Sequence, residues 1–472
     1  MSRVVVALVM LVVAAGVGAA PGAAATVHGG FTPVHPLASP RMIAAPAVLG
    51  DGRVLLTGGF GFTGILASSE IYNPGSGVWT PAPPLVSPRF GHTATTLADG
   101  RVLLAGGANL TALYLDSAEL FDPASNTWAV APPMTVPRAH DTATLLLDGR
   151  VLLAGGRNRS SVALSSAEVF DPAAGTFTAV GSMRAARYHF AAARLRDGRV
   201  LVAGGYNAKD EQQATAELFD PTTSTWSPAG RMHVPRANQV EALLSDGRVL
   251  VAGGGDRPSG FYDSSEVYDP ATNAWSLAGR LGDARGFATL TALPSGRVLL
   301  VGGFGNDGDL GSAESFDPST GRWSPVGSLS TPRGQAAAAL LPGGRVLIAG
   351  GQRYTGNFLA STELFNPNAT VAITPSALLV TPTQVRGQSR ITLTYRSPDA
   401  AVSVIRIQRA RPGGGWTRLA ARIVHRDAVG RNRVAVSLVA RGRRYRPGSY
   451  RLVVGRSGPG SPAVTVAFLI VG

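Results

Sequence analysis

The sequence predicts an all-β chain, a seven-bladed β-propeller followed by a small immunoglobulin-like β-sandwich. Three observations predict it. A Gly-Gly doublet recurs seven times, at Gly58-Gly59, Gly106-Gly107, Gly155-Gly156, Gly204-Gly205, Gly253-Gly254, Gly302-Gly303 and Gly350-Gly351, always 48 or 49 residues apart. Each period holds four short strand-like runs with turn signals between them. A period of that length with four strands is the pattern of sheets arranged radially about an axis. After about residue 370 the repeat stops, and short alternating runs continue to the end.

The first 25 residues read as a secretory signal. Arg3 supplies a positive start, residues 4–15 are apolar, and "AAPGAAA" offers a small-residue cleavage site after Ala25. No later run is apolar and long enough to span a bilayer, so the expectation is a secreted or surface-associated protein with no transmembrane segment after cleavage. The chain has no cysteine, which removes disulfides, thiol nucleophiles and Cys-bound metals. Lys209 is the only lysine among 43 basic residues. That bias reads as GC-rich codon usage in a bacterial source.

Residues 26–370 carry the repeat. An Arg stands 17 residues before each doublet: Arg41, Arg89, Arg138, Arg187, Arg236, Arg285 and Arg333. A Glu stands 11 or 12 residues after it: Glu70, Glu119, Glu168, Glu217, Glu266, Glu314 and Glu363. The first strand follows the Arg and is rich in small residues, which suits the narrow inner part of a wedge-shaped blade. Asp-Gly then predicts a two-residue hairpin. "RVLLAGG" is the second strand, "AEVFDP" the third, and a fourth opens near a Trp, as in "TWAVAPP". Seven copies of Arg and Glu argue for structural pairing, because an active site needs a group once.

The Trp positions predict how the ring closes. Trp79, Trp128, Phe177, Trp226, Trp275 and Trp323 keep the period, and Phe31 stands one period before Trp79. The seventh repeat has no such residue after "ELFNP". Residues 30–37 are therefore expected to supply the fourth strand of the last blade.

The doublet, the following [FY]-[DN]-P, the Trp and the preceding Arg resemble kelch repeats over residues 28–367. That family includes galactose oxidase-like copper enzymes, intracellular substrate adaptors and a sialic-acid mutarotase, so the resemblance implies the propeller but no single activity. The copper enzymes use Tyr and His ligands and a Tyr cross-linked to Cys. With no Cys, that cofactor cannot form here. The expectation is no cofactor and no metal. His92, His140 and His189 are read as strand-initial residues, and "NDGDLGS" as a turn that falls short of a calcium loop.

Residues 371–472 form the second unit. They hold 17 Arg, no Lys and only two acidic residues, Asp399 and Asp427, whereas the rest of the chain is nearly neutral. A basic module outside a cell would attract an anionic cell-wall polymer. Nothing in it suggests nucleic acid.

Function is expected in what does not repeat, the loops after each doublet. Loops on a rigid scaffold usually carry binding residues. The ligand-binding candidates are Tyr206, Asp210, Arg257, Tyr262, Asp307, Arg353 and Tyr354, with no catalytic residue among them. The expected function is recognition of a glycan or protein at one propeller mouth, the sandwich acting as spacer or surface tether. Two alternatives stay open: a copper-independent carbohydrate enzyme like the mutarotase, and a degenerate oxidase relative.

Overall fold

The structure is a computed structural model that describes residues 26–372, apart from 159, 161 and 257–259, and eight strand segments between 390 and 470. The signal segment lies outside the described residues. Every described element is a strand. Seven four-stranded antiparallel sheets follow one another, each built from four successive strands except the last. Blade 1 is Ala45–Val48, Val54–Thr57, Ser69–Asn73 and Val78–Ala82. Successive first strands neighbour one another round a closed ring, blade 7 meeting blade 1.

The second strand of every blade is buried along its whole length, as in Val151–Ala154. This is why it reads as a continuous apolar run rather than an alternating one. Between blades, second-strand residues meet the small side chains of the preceding blade's first strand. Val54, Leu56, Ala337, Ala339 and Leu347 form one such layer, with Trp79 capping its outer side.

The hairpin between strands one and two is longer than the two-residue turn expected. Gly149 donates to Leu146 O and Leu146 N to Arg150 O, enclosing three residues. Only Gly149 has positive φ, at 86°. Asp148 instead uses its carboxylate to hold the backbone N–H and Nε of Arg150. A type I turn with Gly in the left-handed position fits this geometry, and Asp keeps an ordinary φ.

The Arg and Glu of each repeat pair inside the protein, at 2.7–3.0 Å in all seven blades. Arg138 shows the arrangement. Its Nη1 donates to Gly155 O and Ser166 O, and its Nη2 to Glu168 Oε1. Glu168 accepts two more bonds, from the N–H groups of Thr135 and Val136. A buried charge is tolerated when its partner and most of its hydrogen-bonding capacity are supplied, and here only Nε of Arg138 is without a hydrogen bond among the described residues. The pair clamps the incoming connection onto strands two and three.

The doublet links blades. Both glycines have positive φ, 62° and 94° at Gly155 and Gly156. A Cβ on Gly155 would lie 2.6 Å from Arg187 O of the next blade. The second glycine donates to that same carbonyl, Gly156 N to Arg187 O at 2.9 Å.

Closure uses the N-terminus. Thr26–Val34 pairs antiparallel with Thr362–Ala372, and Phe31 lies opposite Phe365. The strand starts before the expected 30–37 because its partner is long enough to continue past a bulge at His28/Gly30. It stops at Val34, opposite Thr362, where the partner strand begins. The rings of Phe31 and Phe365 are 5.1 Å apart, within the 4.8–5.3 Å of the six equivalent aromatic pairs.

Beyond the propeller, Arg390–Ser397 pairs with Gly430–Ser437. A separate four-stranded sheet has the order Trp416–Arg426, Val402–Ala410, Gly448–Arg456, Ala463–Ile470.

Candidate functional site

The loops after the doublets gather at one mouth of the channel, because the residue after each doublet bridges back to the residue after each repeat Arg. Tyr206 bridges Tyr188, and Phe60 bridges Met42. The next residue of each repeat has positive φ: Ile43, Gly91, His140, His189, Asn238, Phe287 and Gln335. Their backbones form a chain of bonds round the axis. His140 N donates to Gly91 O, His189 N to His140 O, Asn238 N to His189 O, Phe287 N to Asn238 O, Gln335 N to Phe287 O and Ile43 N to Gln335 O. The left-handed turn brings each backbone inward, and the side chains at these positions are free to differ.

On blades 3 to 5 those side chains build a polar and aromatic network. His140 and His189 stack with centroids 4.3 Å apart, and Tyr188 lies 5.3 Å from His189. Arg157 covers the Tyr188 ring at 4.3 Å and its Nη2 reaches Asp210 Oδ1 at 3.0 Å. Tyr188 Oη donates to the same oxygen at 2.7 Å. Tyr206 Oη donates to Asp256 Oδ2 at 2.9 Å and accepts from Asn238 Nδ2 at 3.0 Å. Gln212 Nε2 also donates to Asp256, and Tyr262 Oη donates to Gln212 Oε1. Asn238 is 8% exposed, and its Oδ1 takes no hydrogen bond among the described residues.

Protonation follows from this packing. Burial, reinforced by Arg157, pushes His140 down to about 4. Burial with the His140 and Arg157 charges holds His189 well below its ordinary value. Both imidazoles are therefore neutral near pH 7. Burial and the bonds to Asp210 and Asp256 raise the Tyr188 and Tyr206 phenols, so both stay protonated. Their O–H groups are committed as donors to carboxylates.

Tyr206, Asp210 and Tyr262 belong to this network. Arg257 lies outside the described residues. Asp307 lines a separate cleft of about 140 Å³ on blade 6, with Asp283 and Asp309. Arg353 Nε and Tyr354 N both bond Asp309, and the Tyr354 ring meets Phe304 at 5.8 Å. The six described candidates thus fall into two groups of three. Arg157, Tyr188, Gln212, Asn238 and Asp256 were not singled out from sequence, and His140 and His189 were read there only as strand-initial residues. The signal for several of them was present: one and two residues after each repeat Arg, the residue type varies among the blades while the Arg does not. His92 is not equivalent to His140 and His189. It stands one residue later in its repeat, is buried, and bonds Thr57 Oγ1 at 2.9 Å.

A different surface marks blades 1 to 3 of the same mouth. Phe62 is 66% and Leu110 82% exposed at loop tips, with Leu113 and Val162 also exposed.

Comparison with known proteins follows the geometry. The family described as "Kelch motif" matches residues 44–86, 88–135, 138–184, 187–233, 236–282 and 291–330, more than half of the chain. No curated protein sequence matches. Among solved structures, a fungal alcohol oxidase of the AA5 family in complex with copper is similar with TM-score 0.61 and 19% identity, over 94% of this chain and 100% of that one. A structure described as YjhT is similar with TM-score 0.50 and 14% identity, over 61% of this chain and 98% of that one. At these identities the likeness is one of fold.

Proposed function

The chain belongs to the kelch-motif family, and on that premise we propose that it is an exported recognition protein that binds a glycan at the loop-bearing mouth. The network of Arg157, Tyr188, Asp210, Tyr206, Asp256 and Gln212 carries the reading. Fixed donors and acceptors beside aromatic faces suit a ligand with many hydroxyls and apolar ring faces. Asn238 Oδ1, a buried acceptor, has no hydrogen-bond partner among the described residues.

The copper of the fungal neighbour is not carried over. A copper–tyrosine centre of the galactose oxidase kind needs a Cys, which the chain lacks. The two mouth phenols donate to Asp210 and Asp256, and among the described residues no three His, Cys, Asp or Glu side chains converge as metal ligands. No step is routed through a metal.

A protein ligand is the second reading, favoured by the exposed tips of Phe62, Leu110, Leu113 and Val162. A glycan array followed by turnover assays on the hits tests both. Binding without turnover supports recognition. Turnover of a bound sugar, lost on substitution at the mouth, would replace it with the carbohydrate-enzyme reading. An empty array with a captured protein whose binding is lost in Leu110→Ser would favour the second.

A further inference from the structure

The mouth divides by chemistry. On blades 3 to 5, charged side chains hold the network of Arg157, Asp210 and Asp256. The loops of blades 1 and 2, residues 60–68 and 108–115, contain no charged residue. Rings occupy this side instead. Phe62 meets Phe358 of blade 7 at 5.0 Å, Phe358 meets Phe60 at 5.5 Å, and Phe60 meets Phe90 at 6.1 Å. Phe90 then meets His140 at 5.9 Å, and His140 stacks on His189 beside Tyr188. Every contact from Phe62 to His140 is edge to face, with planes 64–72° apart. The row runs unbroken from an exposed loop tip to the polar network.

The sequence of blade 2 explains how the two sides join. Gly91 stands at the inner position that carries a side chain on every other blade, and its φ is 62°. A Cβ there would lie 2.7 Å from His140 Cε1. The missing side chain lets the imidazole lean across to Phe90. That imidazole is neutral near pH 7, because burial pushes it down to about 4. No charge therefore stands between the phenyl rings and the network. At the far end, Phe62 is 66% exposed and touches one other ring among the described residues, whereas Phe60, Phe90 and Phe358 are half-buried.

We propose that the ligand of this mouth is an aryl glycoside, its sugar held on blades 3 to 5 and its aromatic group on the row of rings between Phe90 and Phe62. A wholly polar ligand would leave the rings in water, and a wholly apolar one would gain nothing from the network. A sugar joined to an aromatic ring uses both sides at once. Ring edges are positive and faces negative, so rings prefer edge-to-face contacts, and a row built that way takes one more ring in the same order. An aliphatic group would cover area without continuing that order. The inference rests on the glycan reading above and names the class of glycan within it.

The test is calorimetry on the full chain with matched methyl, cyclohexyl and phenyl β-glycosides of glucose, galactose, mannose and N-acetylglucosamine. For at least one sugar the phenyl member should bind about tenfold more tightly than the methyl member and about threefold more tightly than the cyclohexyl one. Phe62→Ser removes the exposed ring, and Phe60→Leu replaces a half-buried ring with an aliphatic chain. Each should cut the phenyl advantage to about threefold or less and leave the methyl member unchanged. Melts check that both fold, and if Phe60→Leu melts early, the exposed Phe62 decides alone. Asp210→Asn should weaken both members equally and keep their ratio. Equal affinity for the phenyl and methyl members would overturn the proposal. So would equal affinity for the cyclohexyl member, or an advantage that survives Phe62→Ser. Phenol alone competing as well as the phenyl glycoside would also overturn it, by removing the sugar from the site. If array glycans bind and no matched set shows the gain, the glycan reading stands and this inference falls. If neither array glycans nor glycosides bind, both fall.

Discussion

The N–H of Gly351 donates to the carbonyl of Arg41 at 2.8 Å. The other six doublets make the same bond to the Arg of the following blade, from Gly59 to Arg89 through to Gly303 and Arg333. This seventh bond joins the last repeat to the first and closes the circle. Gly351 has φ of 90°, and a Cβ there would lie 2.7 Å from Gly334 O. Gly351→Val is expected to cost about 1–3 kcal/mol through backbone strain, read as a lower midpoint in urea. An unchanged midpoint would mean that this link is not under the constraint described.

Removing residues 26–34 takes away the strand opposite Thr362–Ala372 and leaves a sheet edge open. The melting temperature should fall sharply, and the truncated protein should associate at higher concentration. Light scattering alongside the melt reads both.

Breaking one Arg–Glu clamp should be costly out of proportion to its single bond. Glu168→Leu leaves Arg138 buried without its counter-charge and frees the N–H groups of Thr135 and Val136. The expected loss is about 3–5 kcal/mol by chemical denaturation. The double variant Arg138→Met, Glu168→Leu should lose less, because no buried charge remains.

Two acids give the protein an unusual pH dependence. Burial raises Asp141 to about 7, against an opposing effect of Arg138, and its carboxylate has no side-chain hydrogen-bond partner among the described residues. Burial likewise raises Glu241 to about 7, against a bond from the Ala192 backbone. A raised acid favours the folded state while it is protonated. That contribution is whole below the ordinary carboxylate range and is lost as pH rises through about 7. His140 and His189 act in the opposite sense, costing stability as pH falls below about 6.5. Asp141→Asn and Glu241→Gln should therefore gain on wild type as pH goes from about 5 to 8 in a series of melts. A difference that stays constant over that range would rule out the raised values.

Asp210 is exposed, yet it receives both Arg157 and Tyr188. Asp210→Asn should lower affinity for an array hit by about tenfold, or about 1.4 kcal/mol, while leaving the melt nearly unchanged. Titration calorimetry beside the melt separates a lost contact from a lost fold.

The repeat was legible because each blade solves the same packing problem with the same residues. The doublet, the Arg, the Glu and the outer aromatic could each be aligned with six copies in one chain. Phe31 was legible by the same ruler. The mouth was harder. Tyr188 and Asn238 sit one and two residues past a repeat Arg, so they read as part of the scaffold. Asp210 and Tyr262 lie in loops that look variable and were visible for that reason. Asp307, Arg353 and Tyr354 look alike in sequence but fall on blades 6 and 7, apart from that network.

By itself the sequence determined the number of blades, the clamp in each and the strand that closes the ring, because these follow from a period and from residue types that recur. It also determined that a basic segment follows a nearly neutral one. Only the tertiary structure decided which non-repeating residues meet. Their neighbours come from adjacent blades about 50 residues away, as Tyr206 meets Asp256, and no local pattern encodes contacts across that gap. The left-handed backbone ring makes those contacts. It turns one position of every repeat toward the axis, and so brings His140, His189 and Asn238 to a common mouth.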